Sequence, residues 1–287
     1  MMLSVIIPTY NRSELLDKTL KSIEFQSYSN WECIIVDDHS QDNTQLVAQE
    51  YVNRDARFKL ITNQRKKGAQ GARNTGLIEA KGEYISFFDS DNLMSRERYE
   101  KQLKFFERDV TIDACTCYSH LLNDSNDIVG AFIWITKGDI LKKLLEGHTY
   151  VDYNSTVIKK NALNKIGLLD EDCPSYQEWD TFIRLSHSAK FETDHELLVD
   201  YYQRSVGRIS NDSKKELRGQ FYIYKKHAQL FIDTLGKDFY FKKLSSIYRK
   251  ASGEDALLQN EIVEIMPELK DSLLLLKVKQ KIKKLWK

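Results

Sequence analysis

Four short runs of β-branched and aromatic residues, Ser4 to Pro8, Trp31 to Val36, Phe58 to Thr62 and Tyr84 to Phe88, recur through the first third of the chain with helical patterns between them. Strands joined through helices pair in parallel, because a parallel connection needs a crossover of roughly a dozen residues. The apolar spacing of Leu15, Leu16, Leu20 and Ile23 predicts one such helix, with Ser13 as its cap. Two more are predicted from Thr44 to Val52 and from Ala72 to Ala80, the latter entered through Gly68 and Gly71. The expected fold is therefore α/β, with a mostly parallel central sheet flanked by helices.

The middle of the chain is less regular. Helical patterns are predicted near Arg96 to Glu107, Gly138 to Glu146 and Trp179 to His187, and strands near Ala114 to His120, Ile128 to Trp134 and Ser155 to Lys159. Beyond about Ser210 the strand signals stop and helical patterns run to Lys287, which places a soft boundary there. Cys33, Cys115, Cys117 and Cys173 are spaced too widely for a zinc ribbon and read as reduced, buried residues. No window approaches the roughly 20 apolar residues of a spanning helix, and the N-terminus lacks the pattern of a signal peptide.

The chemistry concentrates where strands end. Asp89-Ser90-Asp91 follows the fourth strand directly, at the carboxyl edge where open α/β sheets place their ligands. Alternate carboxylates there suit a hard divalent cation, Mn²⁺ or Mg²⁺, sharing phosphate oxygens. Asp37 and Asp38 end the second strand, where a carboxylate can meet a base or ribose or simply cap a turn. Tyr10 is placed to stack on the same base. Arg73 is placed to bind a diphosphate or brace an acidic site, and Arg65 to Lys67 read as a solvated loop.

Five segments in order then resemble the motifs of family 2 glycosyltransferases with the GT-A fold. They are Ser-Val-Ile-Ile-Pro-Thr-Tyr-Asn-Arg from Ser4, Ile-Ile-Val-Asp-Asp-His-Ser from Ile34, Gly-Ala-Arg-Asn-Thr-Gly-Leu from Gly71, Gly-Glu-Tyr-Ile-Ser-Phe-Phe-Asp-Ser-Asp-Asn from Gly82, and Gln-Glu-Trp-Asp-Thr-Phe-Ile-Arg-Leu from Gln177. The resemblance implies a metal-dependent, inverting transferase that uses a nucleotide-diphosphate sugar, most often a UDP-sugar. By position, Pro8, Thr9, Tyr10, Asp38, Arg73, Asp89 and Ser90 would bind the nucleotide sugar, and Asp91 with Asp89 would hold the metal. Residues 1–210 would form the catalytic domain, with 1–95 on the donor side and 96–210 on the acceptor side, followed by a helical region, 211–287.

Relatives usually carry Glu-Asp-x-Asp at the start of the helix after the acceptor cleft, the first Asp acting as base; here the run is Gln177-Glu178-Trp179-Asp180. Glu178 falls on the base position, and Asp180 is the alternative. Asn92 stands where many relatives have another Asp. Tyr201 to Ser210 matches the family's mobile acceptor-side loop without the usual His, and from it Arg204 or Arg208 would reach the diphosphate. The processive synthases' Gln-x-x-Arg-Trp motif and spanning helices are missing, which favours one sugar per encounter. A nucleotidyltransferase, or a silent nucleotide-sugar binding module, is the competing expectation.

Net charge bears on partners. The whole chain carries +1, which excludes a nucleic-acid binder driven by bulk charge. The last eighteen residues carry +6, however, leaving −5 for residues 1–269. Within Leu273 to Lys287, Leu275, Val278, Ile282 and Leu285 share a helical face among six lysines, an interfacial pattern. The expectation is an enzyme of the cytoplasm, peripheral on the inner face of the membrane through this tail, acting on a surface-polysaccharide or lipid-linked acceptor. The helical region offers a surface for a homodimer.

Overall fold

The computed structural model describes residues 1–203 and 212–267. The predicted tail, Leu273 to Lys287, and the loop arginines Arg204 and Arg208 lie outside the described residues. The chain divides into two compact units, Met1–Asp172 with Gln177–Arg208, and Cys173–Tyr176 with Ile209–Lys287.

The first unit is built on a sheet whose order begins with four strands: β3 (Phe58–Thr62), β2 (Trp31–Asp37), β1 (Leu3–Thr9) and β4 (Tyr84–Phe87), all mutually parallel. Every residue of β1 and β2 is buried, so both sheet faces are covered, which is why these strands read as continuous apolar runs. The crossovers are α1 (Ser13–Glu24), α2 (Thr44–Arg54) and α3 (Ala69–Glu79). Ser13 is the first residue of α1 rather than its cap; Arg12 holds that position, its amide donating to Thr44 Oγ1 at 2.8 Å. Gly76 of α3 permits the helix to lie against the sheet, since a Cβ there would stand 2.4 Å from Ile6 Cγ2.

The remaining strands extend this sheet with mixed polarity. They are β5 (Leu93–Met94), β6 (Ala114–Leu122), β7 (Ile128–Phe132), β8 (Val157–Lys159) and β9 (Phe191–Tyr202). β8 joins β4 and β6 antiparallel, β9 runs parallel to β6, and β7 is an edge strand paired to β6. Helices α4 (Arg98–Arg108), α5 (Leu141–Glu146), α6 (Lys160–Ile166) and α7 (Gln177–Ser186) complete the unit. The twelve-residue β9 and the short α6 were not predicted. His195, Glu196 and Leu197 in the middle of β9 are exposed beside register shifts in its pairing with β6, which blurs the alternation by which a strand is recognised. All four cysteines are buried and free, and burial pushes the Cys117 thiol up to about 12.

The second unit holds α8 (Ser213–Lys226), α9 (Ala228–Leu235), α10 (Lys237–Lys250) and α11 (Ala256–Ile265). Asp212 caps α8 and Asp255 caps α11, and Asp255 also takes two hydrogen bonds from Arg218 at 2.6 and 2.9 Å. Phe221, Tyr224, Phe231, Tyr240 and Leu244 form its buried interior.

Candidate active site

The carboxyl ends of β1, β2 and β4 lie side by side, Thr9 in register with Asp37, and the predicted donor-side residues gather there. Asn11 and His39, just past two of these strand ends, both adopt left-handed backbone at φ 50° and 65°. The turns brace each other: the Asn11 amide donates to Ser40 Oγ at 2.9 Å, and the Gln41 amide donates to Asn11 Oδ1 at 2.7 Å. Pro8 and Thr9 are buried in β1, while the Tyr10 ring is exposed with the Lys67 ammonium 4.7 Å from its centroid.

The paired acids of the second strand divide their work. Asp37 accepts from the Ser40 amide and from Gln45 Nε2 at 2.7 Å, which ties the start of α2 to the sheet. Asp38 accepts from Asn63 Nδ2 at 2.6 Å and from the Gly68 amide at 2.8 Å. Gly68 has φ +122°, a conformation that side chains other than glycine rarely adopt, so this contact depends on the glycine. Arg65, Lys66 and Lys67 lie in an exposed loop, as expected, and Arg65 and Lys66 pair there with Glu171 and Asp172.

Asp89 is held from two sides. Arg73 Nη2 donates to Oδ1 at 2.6 Å and Asn154 Nδ2 donates to Oδ2 at 2.9 Å. Arg73 is buried, steadied by Gln70 Oε1 at 3.0 Å and by the face of Tyr153, whose centroid is 4.5 Å away. Of the two functions predicted for Arg73, the structure displays the bracing of an acid. Thr9 Oγ1 and Arg73 Nε are buried with no hydrogen-bond partner. Ser90 is buried, and Asp91, half-buried, meets Arg12 Nη1 at 3.2 Å. Asn92 is structural: its carbonyl accepts from Thr19 and its side chain accepts from the Tyr202 amide, anchoring α1 and the end of β9.

Among the described residues, no group of three or more His, Cys, Asp or Glu is arranged to hold a metal. Hard divalent cations take carboxylate, water and phosphate oxygen; of the two strand-end acids, Asp89 accepts from Arg73 and Asn154, and Asp91 meets Arg12.

Glu178 lies in the first turn of α7. The Tyr150 hydroxyl donates to its Oε2 at 2.5 Å and the Tyr153 amide to its Oε1 at 2.9 Å. Burial and the nearby charges of Asp152 and Asp89 outweigh these bonds and raise its pKa to about 7. Asp152 is itself raised, chiefly by burial, against two hydrogen bonds from Ser155. Asp180, one turn-position on, is fully buried and accepts from Arg184 Nε at 2.9 Å. The structure therefore brings Glu178 together with Asp89 and directs Asp180 into an ion pair of the helix interior. Sequence reasoning missed Arg12, Tyr150, Asp152, Tyr153 and Asn154. Arg12 lies within the first motif; the other four have no local pattern to mark them.

Asp89 and Asp91 at the end of the fourth strand and the half-buried Glu178, whose ionisation Asp89 influences, form the candidate site of this α/β unit. The sequence model of Glycosyl transferase family 2 matches residues 4–167. The chain belongs to this family and is a glycosyltransferase. It is 30% identical over 250 residues to the UDP-Glc:alpha-D-GlcNAc-diphosphoundecaprenol beta-1,3-glucosyltransferase WfgD of Escherichia coli, covering 86% of this chain and 90% of that protein. It is 45% identical over 91 residues, 31% of this chain and 29% of the relative, to the GalNAc(5)-diNAcBac-PP-undecaprenol beta-1,3-glucosyltransferase of Campylobacter jejuni. The fold resembles that of S. aureus TarS 1–349 in complex with UDP-GlcNAc, with a TM-score of 0.62 at 17% identity over 94% of this chain and 71% of that one.

Proposed function

We propose that this protein transfers a sugar with inversion from a nucleotide-diphosphate sugar, a UDP-sugar, to a hydroxyl of a lipid-linked or polysaccharide acceptor, one residue per encounter. The observation that carries this reading is Glu178: a carboxylate poised near neutrality by its surroundings and held by two hydrogen bonds beside Asp89. WfgD and the Campylobacter relative, whose names give diphosphoundecaprenol or PP-undecaprenol acceptors, support the acceptor class.

On the donor side, residues 1–95, Tyr10 offers a ring for the base and Asp38 a carboxylate already oriented by Asn63 and Gly68. Thr9, Arg73 and Ser90 lie at the same strand ends, Thr9 Oγ1 and Arg73 Nε being buried without a hydrogen-bond partner. Asp89, fixed by Arg73 and Asn154, receives the ribose and sugar hydroxyls. Asp91, with Asp89 behind it, would hold Mn²⁺ or Mg²⁺, which when bound neutralises charge on the departing diphosphate.

On the acceptor side, residues 96–210, Glu178 takes the proton of the acceptor hydroxyl as that oxygen bonds to the anomeric carbon. The bond from that carbon to the diphosphate oxygen breaks on the opposite face, so the centre inverts and the nucleoside diphosphate leaves. A general base of this kind contributes about 10²–10⁴-fold. Among the described residues no helix is long and apolar enough to cross a membrane. We place the enzyme at the cytoplasmic surface of the membrane.

The deciding measurement is product analysis with a panel of nucleotide sugars, Mn²⁺ and a lipid-diphosphate-linked acceptor. Acceptor-dependent release of nucleoside diphosphate is expected. Pyrophosphate release would identify a nucleotidyltransferase, and release of neither would leave a binding module; each overturns the proposal.

A further inference from the structure

Tyr150 is divided between the interior and solvent. Its hydroxyl is sunk against Glu178, to which it donates at 2.5 Å, yet the residue as a whole is 39% exposed. Burial and the charges of Glu178 and Asp152 push the hydroxyl well above the ordinary phenol value, so it stays protonated and donates. With the oxygen covered, the side-chain surface left open is ring carbon. Such a ring offers apolar contact area at little entropic cost, because the hydrogen bond already fixes its orientation.

The neighbours of Tyr150 hold it outward. Thr149 and Val151 on either side are buried, Val151 in the same core cluster as Leu144 and Phe182. Asp152 is tied down by Ser155, whose amide and hydroxyl donate to it at 2.9 and 2.6 Å. Tyr153 is fully buried against Phe87 and Phe182, at centroid distances of 5.2 and 5.6 Å, and its hydroxyl pairs with Thr181 Oγ1 at 2.6 Å. Turning the Tyr150 ring inward would break several of these contacts at once.

The ring's place beside Glu178 determines what it meets. Each oxygen of that carboxylate accepts one hydrogen bond, from the Tyr150 hydroxyl and from the Tyr153 amide, and each keeps a lone pair for a further hydroxyl. A substrate hydroxyl bound there brings its own carbon skeleton alongside the Tyr150 ring. The negative face of an aromatic ring attracts polarised C–H bonds. A pyranose gathers its axial C–H groups on one face and can present them together, whereas an open-chain polyol has no such face.

We propose that Tyr150 is the acceptor-sugar platform: its ring stacks on the C–H face of a terminal pyranose, while its hydroxyl holds the carboxylate that takes the proton from that sugar. The acceptor unit is thereby a cyclic sugar, and one residue carries two separable tasks. The inference rests on the transferase reading above.

The test compares the full parent chain with Tyr150→Phe and Tyr150→Leu, folding being verified by circular dichroism. Phenylalanine keeps the ring and loses the hydrogen bond; leucine loses both, so the difference between the variants belongs to the ring. Binding of methyl pyranosides and of the matching open-chain alditols is followed by saturation-transfer NMR with UDP and Mn²⁺ present. Transfer is followed with lipid-diphosphate acceptors that end in the same pyranoses. The parent and Tyr150→Phe should bind at least one pyranoside in preference to its alditol, and Tyr150→Leu should bind it about tenfold more weakly. Acceptor KM should rise by a similar factor from Tyr150→Phe to Tyr150→Leu, with donor KM within about twofold. Equal pyranoside affinity in the two variants overturns the inference, as does a parent that binds no pyranoside or binds the alditols equally well. If pyranoside binding follows the ring but no acceptor elicits release of nucleoside diphosphate, the platform stands and the transferase reading fails. Transfer with the same acceptor KM in both variants keeps that reading and sinks the platform.

Discussion

The hydroxyl of Tyr150 donates to Oε2 of Glu178 at 2.5 Å, and this bond draws the carboxyl pKa downward while burial, Asp152 and Asp89 push it up. The upward influences prevail, and the value near 7 puts the proposed base half-ionised at neutral pH. Brønsted behaviour makes such a group effective as a base near its operating pH.

The pH dependence follows from that balance. Because the base must be ionised, kcat/KM is expected to rise with pH through about 7. Tyr150→Phe removes a bond that favours the charged form, so its acid limb moves to higher pH. Asp152→Asn removes a neighbouring negative charge, so its limb moves to lower pH. Opposite displacements in the two profiles are the check; shifts of the same sign would contradict the arrangement.

Glu178→Gln should separate function from stability. Transfer falls by about 10²–10⁴-fold. The folded pKa of Glu178 is raised, so its stabilising contribution is complete below the unfolded value of about 4.3 and is lost as pH rises through about 7. The glutamine has no charge to desolvate. Its Tm should exceed that of the parent at pH 8, and the difference should shrink toward pH 4, as followed by scanning calorimetry.

Asp180→Asn should do the reverse. Asp180 is buried against Arg184, which also donates to the carbonyls of Ile166 and Leu168. Removing one partner of such a pair costs about 2–4 kcal/mol, read as a loss in chemical denaturation. Turnover per folded molecule should remain within severalfold of the parent, an outcome that a catalytic Asp180 would not give.

Asp91→Asn addresses the cation. The variant is expected to need roughly 10–100-fold more Mn²⁺ for half-maximal turnover, whereas the parent should lose transfer in EDTA and recover it on addition of Mn²⁺. Parent turnover that is indifferent to chelation would remove the metal from the mechanism.

Gly76→Ala tests the packing beneath the site. The added Cβ would fall 2.4 Å from Ile6 Cγ2 and 3.1 Å from Val36 Cγ2, so α3 must shift away from the sheet. Overpacking of this kind costs about 1–3 kcal/mol. Because Arg73 rides on the same helix, donor KM should rise together with the loss of Tm.

Where a residue's role is set by its neighbours in sequence, it could be read before the fold was known. The β1–β2–β3–β4 series is legible because β1, β2 and β4 are short runs buried on both faces, β3 is a short β-branched and apolar run at the sheet edge, and helical periods separate them. The Asp89-Ser90-Asp91 triplet is legible because it abuts one of those runs. The extent of β7 was overread: Trp134 has strand-like neighbours, but pairing with β6 ends at Phe132, and the next three residues face solvent.

Local pattern alone determined the parallel half of the sheet and the strand-end acids, since these depend on spacing over a few residues; the helix it predicts from Trp179 begins at Gln177. Tertiary structure decided which carboxylates do what. Glu178 and Asp180 differ by two positions on one helix turn, yet one lies beside Tyr150, Asp152 and Asp89 and the other is sealed against Arg184. Asp91 meets Arg12 across 79 residues of chain and Asp89 meets Asn154 across 65. A carboxylate's ionisation depends on the charges, donors and solvent within a few ångströms, and at such separations only the folded chain brings them there.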